Sequence, residues 1–148
     1  MLLLSKKYEL IEASKEHIEF LIKYKLDTIF EFADSISLDE QEKINNYVLS
    51  EVPKMLGNYH IILNDNDIIG AYCVTSYEDG ILLDEIYIEE GYRSKGIGSS
   101  IIKDVLNRNN IVYLWVYKLN VHAIRLYENL GFKIVNETET RYFMKASK

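Results

Sequence analysis

The chain has 148 residues, 48% of them hydrophobic and 27% charged, which excludes a disordered chain and leaves room for one domain with its own core. Its formal net charge of −6 argues against nucleic acid as a partner, because that contact needs a dense basic surface to displace counterions, and suits a cationic small molecule better. One cysteine, Cys73, and three scattered histidines exclude an internal disulfide framework and give no metal-ligand spacing.

The opening MLLL runs at once into Lys6, Lys7 and Glu9, so it is too short for a signal peptide or a membrane span, and a cytoplasmic protein is expected. Tyr8 to Ile11 reads as a short strand. Ser14 then caps a helix whose apolar positions Ile18, Leu21, Ile22 and Leu26 recur at helical spacing. Ser37 and Glu40 form a capping box ahead of a second helical pattern through Ile44, Tyr47 and Val48, ending near the only proline, Pro53.

From there the period changes. YHIIL and IIGAYCVTS are β-rich runs joined by NDND and read as a hairpin; YEDG turns the chain into ILLDEIYI, a further strand. Ile97, Ile101 and Val105, with Ile102 and Leu106 beside them, mark a helix stopped by NRNN. IVYLWVY is apolar nearly throughout, as a strand buried on both faces is. Asn120 stands at an N-cap position before Ala123, Ile124, Tyr127 and Leu130 on one helical face, with Gly131 just past the end. FKIVNE and RYFMK close the chain as a hairpin around TET. Strand–helix–strand units around a mixed sheet place the fold in the α/β (α+β) class.

The segment GYRSKGIGSS falls between the ILLDEIYI strand and the helix at Ile97. The first N–H groups of a helix lack intrahelical partners and carry the positive end of its dipole, so Arg93 to Gly98 form a natural anion site. Gly96 and Gly98 let a phosphate approach the backbone, and Arg93 and Lys95 add charge. The same loop also suits a tight turn with two solvated cations. Neither better-known phosphate loop is present: no Lys-Ser/Thr pair follows the second glycine of a G-x-x-x-x-G spacing, and the third glycine of G-x-G-x-x-G falls on Ile101.

Two segments taken together carry more. R-S-K-G-I-G follows the apolar IYI, and N-V-H-A-I-R-L-Y-E-N-L-G-F runs from Asn120 to Phe132. In this order they resemble the GNAT superfamily of acetyl-CoA-dependent N-acetyltransferases, whose pattern is an apolar strand, R/Q-x-x-G-x-G/A opening a helix, then N-x-x-A-x-x-x-Y-x-x-x-G-F. The resemblance implies a single domain over 1–148 with a mixed, mostly antiparallel sheet of about seven strands flanked by about four helices.

It also implies acetyl-CoA as cofactor. The main-chain amides of Arg93, Ser94, Lys95, Gly96, Ile97 and Gly98 would hold its pyrophosphate, with Ser99 adding a hydroxyl. The pantetheine arm would pair with the main chain of Ile86, Tyr87 and Ile88 like an added strand, so their side chains are little constrained. Asn120 and Ala123 would lie beside the arm and Tyr127 near the sulfur. There a phenol can serve the departing thiolate as general acid or as hydrogen-bond donor.

An acceptor amine, ordinarily protonated below a pKa of about 10.4, must lose a proton before it attacks. Asp84 and Glu85 are the candidate bases because they interrupt an apolar strand. Alternation sets Asp84 with Ile86 and Ile88 on one face and Glu85 with Tyr87 on the other, but the family often bulges this strand, so both stay candidates. A main-chain N–H near Ile88 would meet the oxyanion. Direct transfer in a ternary complex is expected, with Cys73 a small buried hydrophobe rather than a nucleophile. His17, His60, His122 and Trp115 read as packing or surface residues.

Glu31, Asp34, Asp39, Glu40 and Glu42 bracket the first interhelical connection, either as a solvated face or as an acceptor wall that selects polycations. The acceptor is a small-molecule or peptide amine, with no membrane partner, and the chain is a monomer or a homodimer. The alternatives are a GNAT-fold acyl-CoA sensor or structural protein without turnover, and a phosphate-ester binding module using the same loop.

Overall fold

Among the described residues, runs of β-branched and aromatic residues become seven strands: β1 (Glu9–Glu12), β2 (Tyr59–Asn64), β3 (Asp67–Tyr77), β4 (Gly80–Ile88), β5 (Ile111–Tyr117), β6 (Lys133–Glu137) and β7 (Arg141–Ser147). The amphipathic stretches become α1 (Ile18–Phe32), α2 (Leu38–Lys54), α3 (Ile97–Arg108) and α4 (Val121–Asn129). They are seen in a computed structural model that describes residues 8–148; the MLLL opening with Lys6 and Lys7 lies outside the described residues.

The strands form one sheet in the order β1-β2-β3-β4-β5-β7-β6, antiparallel except where β4 meets β5. Each face carries two helices, and each interface has its own core. On one face Leu21 and Tyr24 of α1 and Val48 and Val52 of α2 bury against Tyr59, Ile61, Ala71 and Cys73. On the other, Ile97, Ile101, Ile102 and Val105 of α3 and Tyr127 of α4 bury against Ile62, Ile69, Leu83, Val112, Leu114 and Met144. Burying a large apolar side chain contributes roughly 1.5–3 kcal/mol, so both pairs of helices are held by their apolar faces rather than by propensity.

Local chemistry sets the helix ends. The Glu40 N–H donates to the Ser37 hydroxyl at 3.2 Å and the Ser37 N–H to the Glu40 carboxylate at 3.4 Å, closing the capping box; α2 ends at Lys54, one residue past Pro53. Ahead of α1, the Ser14 N–H donates to the His17 ring at 2.9 Å, which accounts for that buried histidine. Among the described residues no helix is long and apolar enough to cross a membrane.

Two irregularities in the sheet position the site. Cys73 pairs with Glu85 and Val74 with Leu83, so Asp84 is an extra residue, a bulge. Simple alternation through this strand is therefore corrected at Asp84: Leu83, Ile86 and Ile88 all pack towards α3 and α4, while Tyr87 packs towards α1 and α2. The second irregularity is that β4 and β5 are paired only from Ile81–Val112 to Leu83–Leu114. Beyond Leu83 they part, and the edge of β4 not paired with β3 is left open along Glu85 to Ile88. On the closed side a Cβ at Gly70 would lie 2.2 Å from the Tyr87 carbonyl oxygen, so glycine is what lets β3 approach β4 there.

Candidate active site

The loop after β4 winds into α3 through two left-handed residues, Ser94 (φ 62°) and Gly96 (φ 82°). The first helical bond of α3 runs from the Ser100 N–H to the Gly96 carbonyl at 2.9 Å, so the N–H groups of Ile97, Gly98 and Ser99 precede the first acceptor of the helix. A Cβ at Gly98 would touch nothing of the chain closer than Ile88 Cγ1 at 3.9 Å, so its space opens outward. Arg93 is tied to the strand: its Nε–H donates to the Ile88 carbonyl at 2.6 Å, and its guanidinium lies 5.2 Å from the Tyr87 ring centre. Tyr87 in turn stacks on Tyr24 of α1 at 4.4 Å, and the Tyr24 hydroxyl donates to Glu89 at 2.5 Å. This column fixes the loop to α1.

Across from the loop, Asn120 caps α4 by accepting from the Ala123 N–H at 3.2 Å. The helix ends with the Phe132 N–H on the Tyr127 carbonyl (3.0 Å) and the Gly131 N–H on the Glu128 carbonyl (3.1 Å), with Gly131 at φ 101°. That is a Schellman ending, and it gives the Y-x-x-x-G-F spacing a physical reason. Glycine takes the left-handed turn, and Phe132 folds back edge-on to the Tyr127 ring at 5.9 Å. Burial pushes the Tyr127 phenol up to about 12.

Between these elements lies a cavity of about 470 Å³. Of the residues expected around a coenzyme, Ile86, Tyr87, Ile88, Arg93, Ser94, Gly96, Ile97, Gly98, Ser99, Asn120, Ala123 and Tyr127 all line it. Lys95 does not; its ammonium lies 5.6 Å over the Tyr92 ring. Sequence reasoning passed over Thr28 and Phe32 from the end of α1, together with Tyr92 and Leu126; Glu31, offered there as part of an acceptor wall, Ile102, read as a helix apolar position, and His122, read as a packing or surface residue, also line the cavity. His122 and Leu126 sit one turn apart beside the Ala123–Tyr127 ridge, a helical signal that was readable. The α1 residues reach the site only through tertiary packing. Of the five acidic residues around the first interhelical connection, Glu31 alone lines the cavity.

Neither candidate base lines it. Glu85 lies behind β4, where its Oε1 accepts from the Tyr59 hydroxyl at 2.8 Å and the Lys25 ammonium stands 3.9 Å away. Its Oε2 is buried and meets no hydrogen-bond partner among the described residues. Burial pushes the Glu85 carboxyl up to about 7, with Lys25 and Tyr59 pulling the other way. Asp84, half-buried at the bulge, acts through its charge on Glu85, Tyr59 and Cys73. Burial, with the charges of Asp84 and Glu85 added, pushes the Cys73 thiol up to about 12, far from a thiolate.

A mostly antiparallel sheet whose one parallel pair parts beside a glycine loop and a helix N-terminus defines a GNAT-like fold. The chain belongs to that family: the model of the acetyltransferase (GNAT) domain matches residues 56–134, more than half of its length. A spermine/spermidine N(1)-acetyltransferase of Bacillus subtilis (strain 168) is 32% identical over 65 residues, 40% of this chain and 43% of that protein. The match thus spans less than half the length of this curated relative. A PaiA N-acetyltransferase from Thermoplasma acidophilum, solved in complex with coenzyme A, shares the fold with a TM-score of 0.74 at 19% identity over 97% of this chain and 100% of that one. Ard1 from Thermoplasma volcanium does so with a TM-score of 0.70 at 17% identity over 96% and 98%.

Proposed function

We propose that the chain binds acetyl-CoA in this cavity and moves the acetyl group directly to a primary amine within a ternary complex. The observation that carries this reading is that one cavity joins the free amides at the start of α3, the open edge of β4 and the Tyr127 side chain. The amides of Ile97, Gly98 and Ser99 suit a pyrophosphate, and the open edge along Ile86 to Ile88 suits an amide-bearing arm added as a strand. Acetyl-CoA supplies the acyl group as an activated thioester.

The chain's own groups then have distinct tasks. A main-chain N–H near Ile88 meets the negative charge that gathers on the carbonyl oxygen when the amine nitrogen attacks. The Tyr127 hydroxyl donates to the sulfur as the carbon–sulfur bond breaks. Glu85, with its carboxyl pushed up to about 7, takes the amine proton through water in the gap between β4 and β5, since it does not itself line the cavity. Asp84 sets the charge around it. The name of the Bacillus subtilis relative makes polyamines the first acceptors to try.

Thiol release from acetyl-CoA, followed across a panel of amines with the acetylated product identified, tests the reading. Release that depends on the amine is expected; binding of the coenzyme without release would instead mark a sensor. Cys73→Ala is expected to retain most of the turnover, and its loss in a folded variant would replace direct transfer by an acyl-enzyme route.

A further inference from the structure

Glu31, an exposed residue near the end of α1, has no task in the scheme above, yet it lines the cavity. If the cavity holds a coenzyme whose phosphates are anionic, a carboxylate there repels that ligand, so its favourable partner is a cation. Among the described residues no ion pair includes Glu31, whereas Asp27, one turn earlier, is paired with Lys23 at 2.8 Å and accepts from the Tyr87 hydroxyl at 3.4 Å. Arg93, the cation lining the same cavity, has its Nε–H committed to the Ile88 carbonyl.

The cation that Glu31 suits is not the reacting nitrogen. That nitrogen must be neutral to attack, and a carboxylate in contact with it would hold it protonated. Phe32, Ile86, Ile88 and Leu126 give the same cavity apolar walls, which suit a run of methylenes between two nitrogens.

We propose that Glu31 binds a second, non-reacting ammonium of the acceptor, so that the acceptor class is a diamine or a longer polyamine. This rests on the transferase reading and adds to it a residue that sets specificity. The test compares kcat/KM for 1,4-diaminobutane and n-butylamine, which share a chain length and differ in the second ammonium. Counted per amino group, the native chain is expected to favour the diamine by about two- to fivefold, the scale of an ion pair at an exposed carboxylate, and Glu31→Gln to bring the ratio close to one. Asp34→Asn makes the same change of charge outside the cavity and is expected to keep the preference. Melting temperatures confirm that the variants are folded.

Thiol release with a ratio near one in the native chain, or a preference that survives Glu31→Gln, overturns this inference alone. An equal fall in Asp34→Asn also overturns it, because general charge steering would then account for the preference. No thiol release with either amine, or with any member of the wider amine panel including longer polyamines, overturns the transferase reading and this inference with it.

Discussion

Tyr127→Phe is expected to lower kcat about a hundred- to thousandfold while leaving the melting temperature nearly unchanged. The ring stays in place, because Phe132 packs on its edge and the Schellman ending fixes the backbone, and neither contact uses the hydroxyl. What the proposed reaction loses is one donor to the charge developing on the sulfur. The phenol, raised to about 12, stays protonated throughout the working range. An ordinary thiol titrates at about 8.5, so full proton transfer to the departing thiolate runs uphill by roughly 5 kcal/mol. In the proposed reaction Tyr127 therefore serves as a hydrogen-bond donor, and the thiolate takes its proton from solvent later. Single-turnover kinetics on Tyr127→Phe check this, and an unchanged kcat would remove Tyr127 from the chemistry.

Glu85→Gln is expected to change two pH profiles at once. The carboxyl titrates at about 7 in the folded chain against an ordinary 4.5, chiefly because it is buried. Below pH 4.5 it is protonated in both states and its burial costs little. Between pH 4.5 and 7 the unfolded chain ionises while the folded one keeps its proton, so stability falls through that window, and above 7 the folded chain bears the buried charge and the loss is complete. The difference corresponds to about 3 kcal/mol, or roughly 6–12 °C in melting temperature for a chain of this size. Subtracting the pH profile of Glu85→Gln from that of the native protein should isolate this loss between pH 4.5 and 7.

In turnover, the native enzyme should gain activity through an apparent pKa near 7 as the base ionises. The variant should lack that limb and lose about a hundredfold at neutral pH. A stability difference without a kinetic one would leave Glu85 a structural charge and move the base elsewhere.

The parts of the site that were readable in sequence are those written locally. Asn120 as a cap, the glycines before α3, and Gly131 with Phe132 at the end of α4 are backbone requirements tied to residue type and spacing, so a linear pattern reveals them. The bulge at Asp84 is different in kind. Alternation counts residues along one strand, and an extra residue shows only in the register of the partner, here in Cys73 and Val74. The parting of β4 from β5 is hidden for the same reason, since Glu85 to Ile88 read as strand whether or not a neighbour pairs with them.

Charge was legible as charge but not as direction. Arg93 and Lys95 flank the same turn, yet Arg93 lies against Tyr87 beside the cavity while Lys95 turns onto Tyr92. Glu85 drew notice as a carboxylate within an apolar strand, but its isolation behind β4 depends on Tyr59 and Lys25, far from it in sequence. Glu31 stood among five acidic residues with nothing local to distinguish it. Only the packing of α1 across the sheet brings it to the cavity.

The central claim is that the loop from Arg93 to Ser99 receives the coenzyme, and the melting temperature with and without saturating acetyl-CoA tests it most directly. ATP serves as control, beside a double variant carrying Arg93→Ala and Gly98→Trp. A ligand at about a hundred times its Kd stabilises the fold by roughly 2.7 kcal/mol, which shifts the midpoint by several degrees. The account predicts such a shift with acetyl-CoA, none with ATP, and none in the folded double variant, whose indole would fill the space that opens beside Gly98. A native protein that melts at the same temperature with and without saturating acetyl-CoA would contradict the account.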